Sequence, residues 1–204
     1  MPSRINPPDE AVLEPFGDLW AGYETMLGFV PESSKTMARV PGLLEGYVGL
    51  GMAVIGNGLI DQQLTQLIAH MASAGAGCRY CQAHTVAHAE KLGVDAAKLT
   101  DLWSFETSPH FDDAERVALR LAFHAGQQPN LVSDADIAAC RAHFDDDQIT
   151  AIVAVCAFFG LLNRWNDTMA TTLEPQAAGA ATRLLAHAGW DAGKHASDTD
   201  ANAD

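Results

Sequence analysis

The chain has 204 residues, 48% of them hydrophobic and 19% charged, with a formal net charge of −14. That is enough apolar material for one sizeable core or two small bundles, and the low charge content places much of the chain in an interior or in subunit contacts. So acidic a chain repels phosphate backbones, which excludes nucleic acid as an expected partner.

Helical patterning runs through almost the whole chain, and the alternation expected of strands is scarce. Helices are predicted over 10–28, 33–39, 42–55, 60–74, 79–92, 112–126, 134–143, 146–172 and 176–189. Several boundaries carry recognisable punctuation. "GNG" at 56–58 precedes a helix opening near Asp61, and Gly93 after Leu92 is a stop signal. Ser133 with Asp136 three residues later marks another start, and "GAG" at 75–77 interrupts a helical pattern just before Cys78. The expected organisation is a single all-α domain over 10–190, a flexible segment 1–9 and a disordered acidic tail 191–204. The tail stretch "DAGKHASDTDANAD" holds four Asp and little that could be buried. The longest apolar run, Ile149 to Leu162, spans 14 residues and suits a buried core helix, so no membrane span is expected. "MPSRINPPDE" has no apolar signal core, so a cytoplasmic location with reduced thiols is expected.

An internal repeat appears when the chain is slid by 85 positions. Residues 61–81, "DQQLTQLIAHMASAGAGCRYC", then lie over 146–166, "DDQITAIVAVCAFFGLLNRWN", with seven identities in 21 positions. The reading is two packed copies of one helix–Gly break–helix unit, around 60–93 and 145–172. "CRYC" in the first copy is "NRWN" in the second. Arg79 and Tyr80 therefore read as shared packing, and the two cysteines as added chemistry. By the same register Asn163, Arg164 and Asp167 either line a pocket or fix two helices to each other.

Cys78 and Cys81 sit three apart at a helix start, with His84, Thr85 and His88 following. The spacing suits a disulfide. The helix N-terminus favours a thiolate and so predicts a lowered thiol pKa. A histidine one turn on can take a thiol proton and return it to a departing oxygen. Thiol–disulfide exchange and attack on a peroxide both fit. Two buried structural thiols are the alternative. A zinc site from Cys78, Cys81, His84 and His88 is less favoured, because all four crowd onto one helix within eleven residues; no metal or other cofactor is expected.

"GCRYCQAHT" after "QLIAHMASAGA" resembles the carboxymuconolactone decarboxylase superfamily in its alkylhydroperoxidase D-like branch. "FDDAERVALRLA" (111–122) and "FGLLNRWNDTM" (159–169) are similar to peroxidase-related members. The resemblance covers roughly residues 15 to 175. It implies an alkylhydroperoxidase D-like helical bundle with a duplicated unit, assembled as a dimer, trimer or hexamer. It implies hydroperoxide reduction with electrons from a dithiol such as a lipoyl or thioredoxin-like protein, Cys81 attacking the peroxide and Cys78 resolving. The alternative it leaves is a family member with no or residual peroxidase activity and another small-molecule role.

Two departures from that family stand out. The relay Glu expected twelve residues before the first cysteine is Gln66, and the relay His expected four after the second is Thr85. The expected base is therefore His84, with His70 and His88 as further candidates. Cys140, Cys156 and the four tryptophans read as core or interface. His110, His124, His143, His187 and His195 read as surface or capping residues.

Overall fold

The computed structural model describes residues 3–197. It consists of α1 (Glu10–Leu13), α2 (Gly17–Leu27), α3 (Glu32–Met37), α4 (Leu43–Ile55), α5 (Gln62–Ala76) and α6 (Arg79–Lys91). These are followed by α7 (Ala96–Thr100), α8 (Asp113–Gly126), α9 (Asp134–Arg141), α10 (Asp146–Met169) and α11 (Pro175–Leu185), with short 3₁₀ turns and no strand among the described residues. The expected all-α class is the observed one. The first expected helix is split by a 3₁₀ turn at Glu14–Phe16, where Pro15 removes a backbone donor. A short helical segment over 96–104 follows Asp95, whose side chain caps it; it was not expected from the periodicity.

The starts at Asp61 and Ser133 are made by the side chains the sequence suggested, and two further capping boxes accompany them. Asp61 accepts from the N–H groups of Gln63 and Leu64. Ser133 and Asp136 form a reciprocal capping box, as do Asp112 with Glu115 and Asp145 with Gln148. Helix α6 ends at Lys91 and Gly93 follows at φ +83°.

The two repeats diverge at their glycine break. In the first copy α5 stops at Gly77, which takes φ +74°, and α6 begins afresh with Cys78 as its N-cap. In the second copy position 77 corresponds to Leu162, a residue with no easy access to positive φ. The chain therefore runs straight through as the 24-residue helix α10, in keeping with the single helix predicted from 146, and the glycine break of the repeat is confined to the first copy. α10 is long and apolar enough to cross a membrane, yet half of that apolar window is buried inside the bundle. It ends at Met169, earlier than expected, with Ala170 in the left-handed region.

α5 is the centre of the bundle, packed on α6, α8 and α10, while α11 covers α6. Leu67, Ile68, Met71 and Ala72 of α5 meet Leu119, Leu121 and Ala122 of α8 and Ile152 and Val155 of α10 in one core. Cys140 and Cys156 lie in that core as expected. α5 and α8 touch backbone to backbone. A Cβ on Gly75 would lie 2.2 Å from the Phe123 carbonyl oxygen, and one on Gly126 would lie 2.1 Å from that of Ala72.

The first and last described residues are tied down to the bundle. Ser3 exchanges hydrogen bonds with Thr172, and the Arg4 N–H donates to the Met169 carbonyl. The expected flexible segment is thus a strap from residue 3 onward. The expected disordered tail is packed as far as its 3₁₀ turn Gly193–His195. Trp190 Nε1 donates to the Arg79 carbonyl, and the Leu173 N–H donates to that of His195. His195, expected at the surface, is buried because its ring fits against Tyr80 and Nδ1 pairs with the Thr171 carbonyl. Residues 198–204 of the expected tail lie outside the described residues.

The glycine contacts make a stability prediction. Gly75→Ala drives a methyl into backbone that cannot yield, and should destabilise by about 2–3 kcal/mol. Gly179→Ala on α11, where a Cβ meets nothing within 4 Å, should instead stabilise by roughly 0.5–1 kcal/mol. Urea unfolding midpoints of the two variants check both signs.

Candidate active site

The first turn of α6 holds the cysteine pair. Cys78 is the N-cap, and its Sγ accepts from the Cys81 N–H at 3.5 Å. Cys81 points inward at the third helical position. Both thiols are free and buried, and Cys81 is 3% exposed. Asn166 of α10 donates from Nδ2 to Cys81 Sγ at 3.5 Å.

The expected lowering of the Cys81 pKa does not hold in this closed arrangement. Burial pushes the thiol well above its usual range, and the neighbouring Cys78 adds to that, while the Asn166 hydrogen bond works in the opposite direction. The helix terminus is present, but its favourable field is outweighed by loss of water around the sulfur. Cys81 rests as a thiol and needs a base to become a nucleophile.

One turn on, His84 supplies the ring. Its Nε2 lies 2.5 Å from Glu174 Oε2. The ring stacks on Tyr80 with centroids 4.1 Å apart, and Phe29 meets it edge-on at 5.0 Å. The other oxygen of Glu174 accepts from Tyr80 Oη at 2.8 Å and from the Glu32 N–H, at the start of α3, at 2.7 Å. Burial opposes the charged form of Glu174. The charge and hydrogen bond of His84 and the backbone N–H of Glu32 overcome this and hold its pKa below the ordinary value. With Nε2 turned to the carboxylate, Nδ1 is the ring nitrogen left free of it. Burial and then Glu174 push the Tyr80 hydroxyl well above its ordinary pKa, so it stays a donor.

The remaining candidates fall elsewhere. Thr85 Oγ1 is committed to the Cys81 and Gln82 carbonyls and contacts His70 Nδ1 at 3.1 Å. His70 is fully buried, and its pKa is lowered to about 4 by that burial, so it is a neutral packing ring. Gln66 is buried on α5, one turn before His70. His88 is half-buried one turn beyond His84, its pKa lowered by burial and then by the charges of Lys91 and His84. Among the described residues no group of three or more His, Cys, Asp or Glu side chains is placed to hold a metal ion. Tyr80, read from the repeat as packing alone, proves to be part of the site. Its counterpart Trp165 bonds Thr36 instead.

Glu174 and Asn166 were not singled out from the sequence. Asn166 was within reach, because it is the repeat partner of Cys81, and the two copies pack so that these equivalent positions meet. Glu174 carried no local signal: it lies 90 residues from His84, in the turn before α11. A cleft of about 320 Å³ lined by Ser3, Asn6, Glu32, Thr172 and Pro175 reaches Glu174 from outside. A second hollow of about 390 Å³, between α2 and α4, is apolar and lies among Phe16, Leu19, Leu44 and Val48.

Residues 41–124 match the carboxymuconolactone decarboxylase family. The match covers 84 of the chain's 204 residues, 41–124, and is a likeness of that segment. The debrominase Bmp8 superposes on 88% of this chain and 97% of its own, with a TM-score of 0.83 and 27% identity. A cysteine-to-alanine variant of Bmp8 in complex with 2,3,4-tribromopyrrole superposes equally well. An uncharacterized peroxidase-related protein with an alkylhydroperoxidase AhpD core, from Ralstonia eutropha JMP134, covers 86% of this chain and 94% of its own, with a TM-score of 0.75 and 23% identity, and shares the fold. The uncharacterized protein YnjA of Escherichia coli (strain K12) is 34% identical over 93 residues, 45% of this chain and half the length of YnjA.

The buried state of His70 makes a pH prediction. Its folded pKa of about 4 lies below the ordinary 6.5. As pH falls below 6.5 the unfolded chain takes up a proton that the folded chain refuses. The stability contribution is therefore fully present above 6.5 and lost toward pH 4. By pH 5 this amounts to about 2 kcal/mol. The wild type should lose that much more unfolding free energy than His70→Leu between pH 7 and 5, measured by urea denaturation.

Proposed function

We propose that the protein is a thiol-dependent reductase of hydroperoxides, working through Cys81, Cys78 and His84. The observation that carries this reading is the His84–Glu174 pair, one helical turn from a buried Cys-x-x-Cys. It supplies an oriented base in a chain that lacks the Glu and His expected at positions 66 and 85. In the proposed cycle His84 Nδ1 takes the Cys81 proton. The thiolate attacks the distal oxygen of ROOH, the O–O bond breaks, and the leaving RO⁻ takes the proton back as ROH. Cys81 is then a sulfenic acid. The Cys78 thiol displaces water from it to form the Cys78–Cys81 disulfide, and an external dithiol, of lipoyl or thioredoxin type, returns both thiols. Glu174 orients the imidazole and stabilises its protonated form, as the acid of a catalytic triad does.

A second reading, reductive dehalogenation, is favoured by the likeness to debrominase Bmp8. It uses the same parts. Cys81 thiolate takes bromine from carbon, the carbon is protonated, and Cys78 displaces bromide to give the same disulfide. Exposed apolar side chains on α4 and α10, among them Leu50, Met52, Val153 and Leu161, support a homo-oligomer. The chemistry calls for a reducing compartment such as the cytoplasm.

Mass spectrometry after one equivalent of peroxide should find the Cys78–Cys81 disulfide, and Cys78→Ser should stop at the Cys81 sulfenic acid. Cys81→Ser should abolish turnover. If Cys81→Ser consumes peroxide like wild type in the presence of dithiothreitol, the reading fails. Debromination of 2,3,4-tribromopyrrole without peroxide consumption would select the second reading. Glu174→Gln should lower kcat/KM about 10²–10⁴-fold, the range for an impaired general base, and shift the pH–rate profile.

A further inference from the structure

We propose that Asn166 is a catalytic residue of the Cys81 reaction, its side-chain amide binding the reacting sulfur and then the S–O–H group formed on it. This rests on the hydroperoxide reading above and names the feature of the substrate that the site selects. Asn166 is 1% exposed, and its Nδ2 donates to Cys81 Sγ at 3.5 Å. Its Oδ1 is buried without a hydrogen-bond partner among the described residues. Asn163, one turn earlier on α10, is also buried with both amide atoms unpartnered. A native interior rarely leaves such groups unmatched, and a redox or catalytic role is one of the few accounts of those it does leave.

The shape of the amide explains what it is for. An asparagine side chain presents a donor and an acceptor side by side in one plane. The Nδ2–H already meets sulfur. When Cys81 attacks the distal oxygen of ROOH, that oxygen arrives carrying its hydrogen and becomes the sulfenic O–H. The adjacent Oδ1 is the natural acceptor for it. The amide therefore reads S–O–H with both of its atoms. A bromine transferred to sulfur would bring no hydrogen and leave Oδ1 unmatched. The amide thus matches a hydroperoxide and not a halide. Burial raises the Cys81 pKa, and the Asn166 hydrogen bond opposes that rise. The repeat gives the arrangement its origin: positions 81 and 166 are equivalent, and one copy supplies the thiol while the other supplies the amide that serves it.

The test uses iodoacetamide alkylation of Cys81 in the full chain, followed by peptide mass spectrometry, which needs no peroxide turnover. Asn166→Ala and Asn166→Asp should each raise the apparent thiol pKa by about one unit, slowing alkylation at neutral pH about tenfold. The Cys81 sulfenic acid in the Cys78→Ser background should be shorter-lived in both. Circular dichroism reports that the variants are folded. Unchanged alkylation profiles in folded variants overturn the proposal. Should both variants unfold, the wild type carries the test: with ¹⁵N-asparagine labelling, one side-chain amide should titrate with Cys81 and move on its oxidation, and an amide set that does not respond overturns it. If wild type reduces no peroxide while the alkylation shifts appear, the hydroperoxide reading and the S–O–H role fall, and the amide's hold on the thiolate stands.

Discussion

A carboxylate taken out of water costs several kcal/mol unless its oxygens are satisfied, and the Glu174 carboxylate is where this structure meets that demand. One oxygen holds the His84 ring, and the other holds the Tyr80 hydroxyl and the backbone N–H at the start of α3. Those three partners come from two separate parts of the chain, and Glu174 itself precedes α11. The anion is therefore the point at which α3, α6 and α11 are registered against one another. Removing the charge would do more than silence one residue. It would free the imidazole, release the phenol that the imidazole stacks on, and leave the first turn of α3 without its acceptor.

The duplication explains how one half of such a site could specialise. Both copies keep Arg and an aromatic residue at equivalent positions, and both begin with an Asp cap or capping box. They part at Gly77 and Leu162. The left-handed glycine lets the first copy start a new helix with a thiol at its N-cap. The leucine commits the second to a continuous helix, whose amides at 163 and 166 replace the thiols. A conformational choice at one position separates a turn that carries thiols from a straight supporting rod.

Much of this was legible in the sequence because it is written in short-range signals. Caps at Asp61 and Ser133, the stop at Gly93 and the 3.6-residue pattern mark most of the helices within a few residues. The repeat and the Cys-x-x-Cys stood out for the same reason. What stayed hidden depends on long-range packing. Glu174 has no neighbours in sequence that announce a role, and its function exists only because α11 closes over α6. The elevated Cys81 pKa is likewise a property of burial, which overrides the local helix-terminus argument. His195 looked like part of an acidic tail, yet a ring that fits against Tyr80 holds that segment down.

The family match ends at residue 124. It therefore contains both cysteines and His84 but none of Glu32, Asn166, Glu174 or His195. In this chain the matched segment delivers a pair of thiols to the start of a helix. What surrounds those thiols, the Asn166 amide, the Glu174 carboxylate behind the imidazole and the segment around His195 over the phenol, is contributed by chain outside that match. The flanks therefore decide what surrounds the sulfur, and the matched segment alone does not.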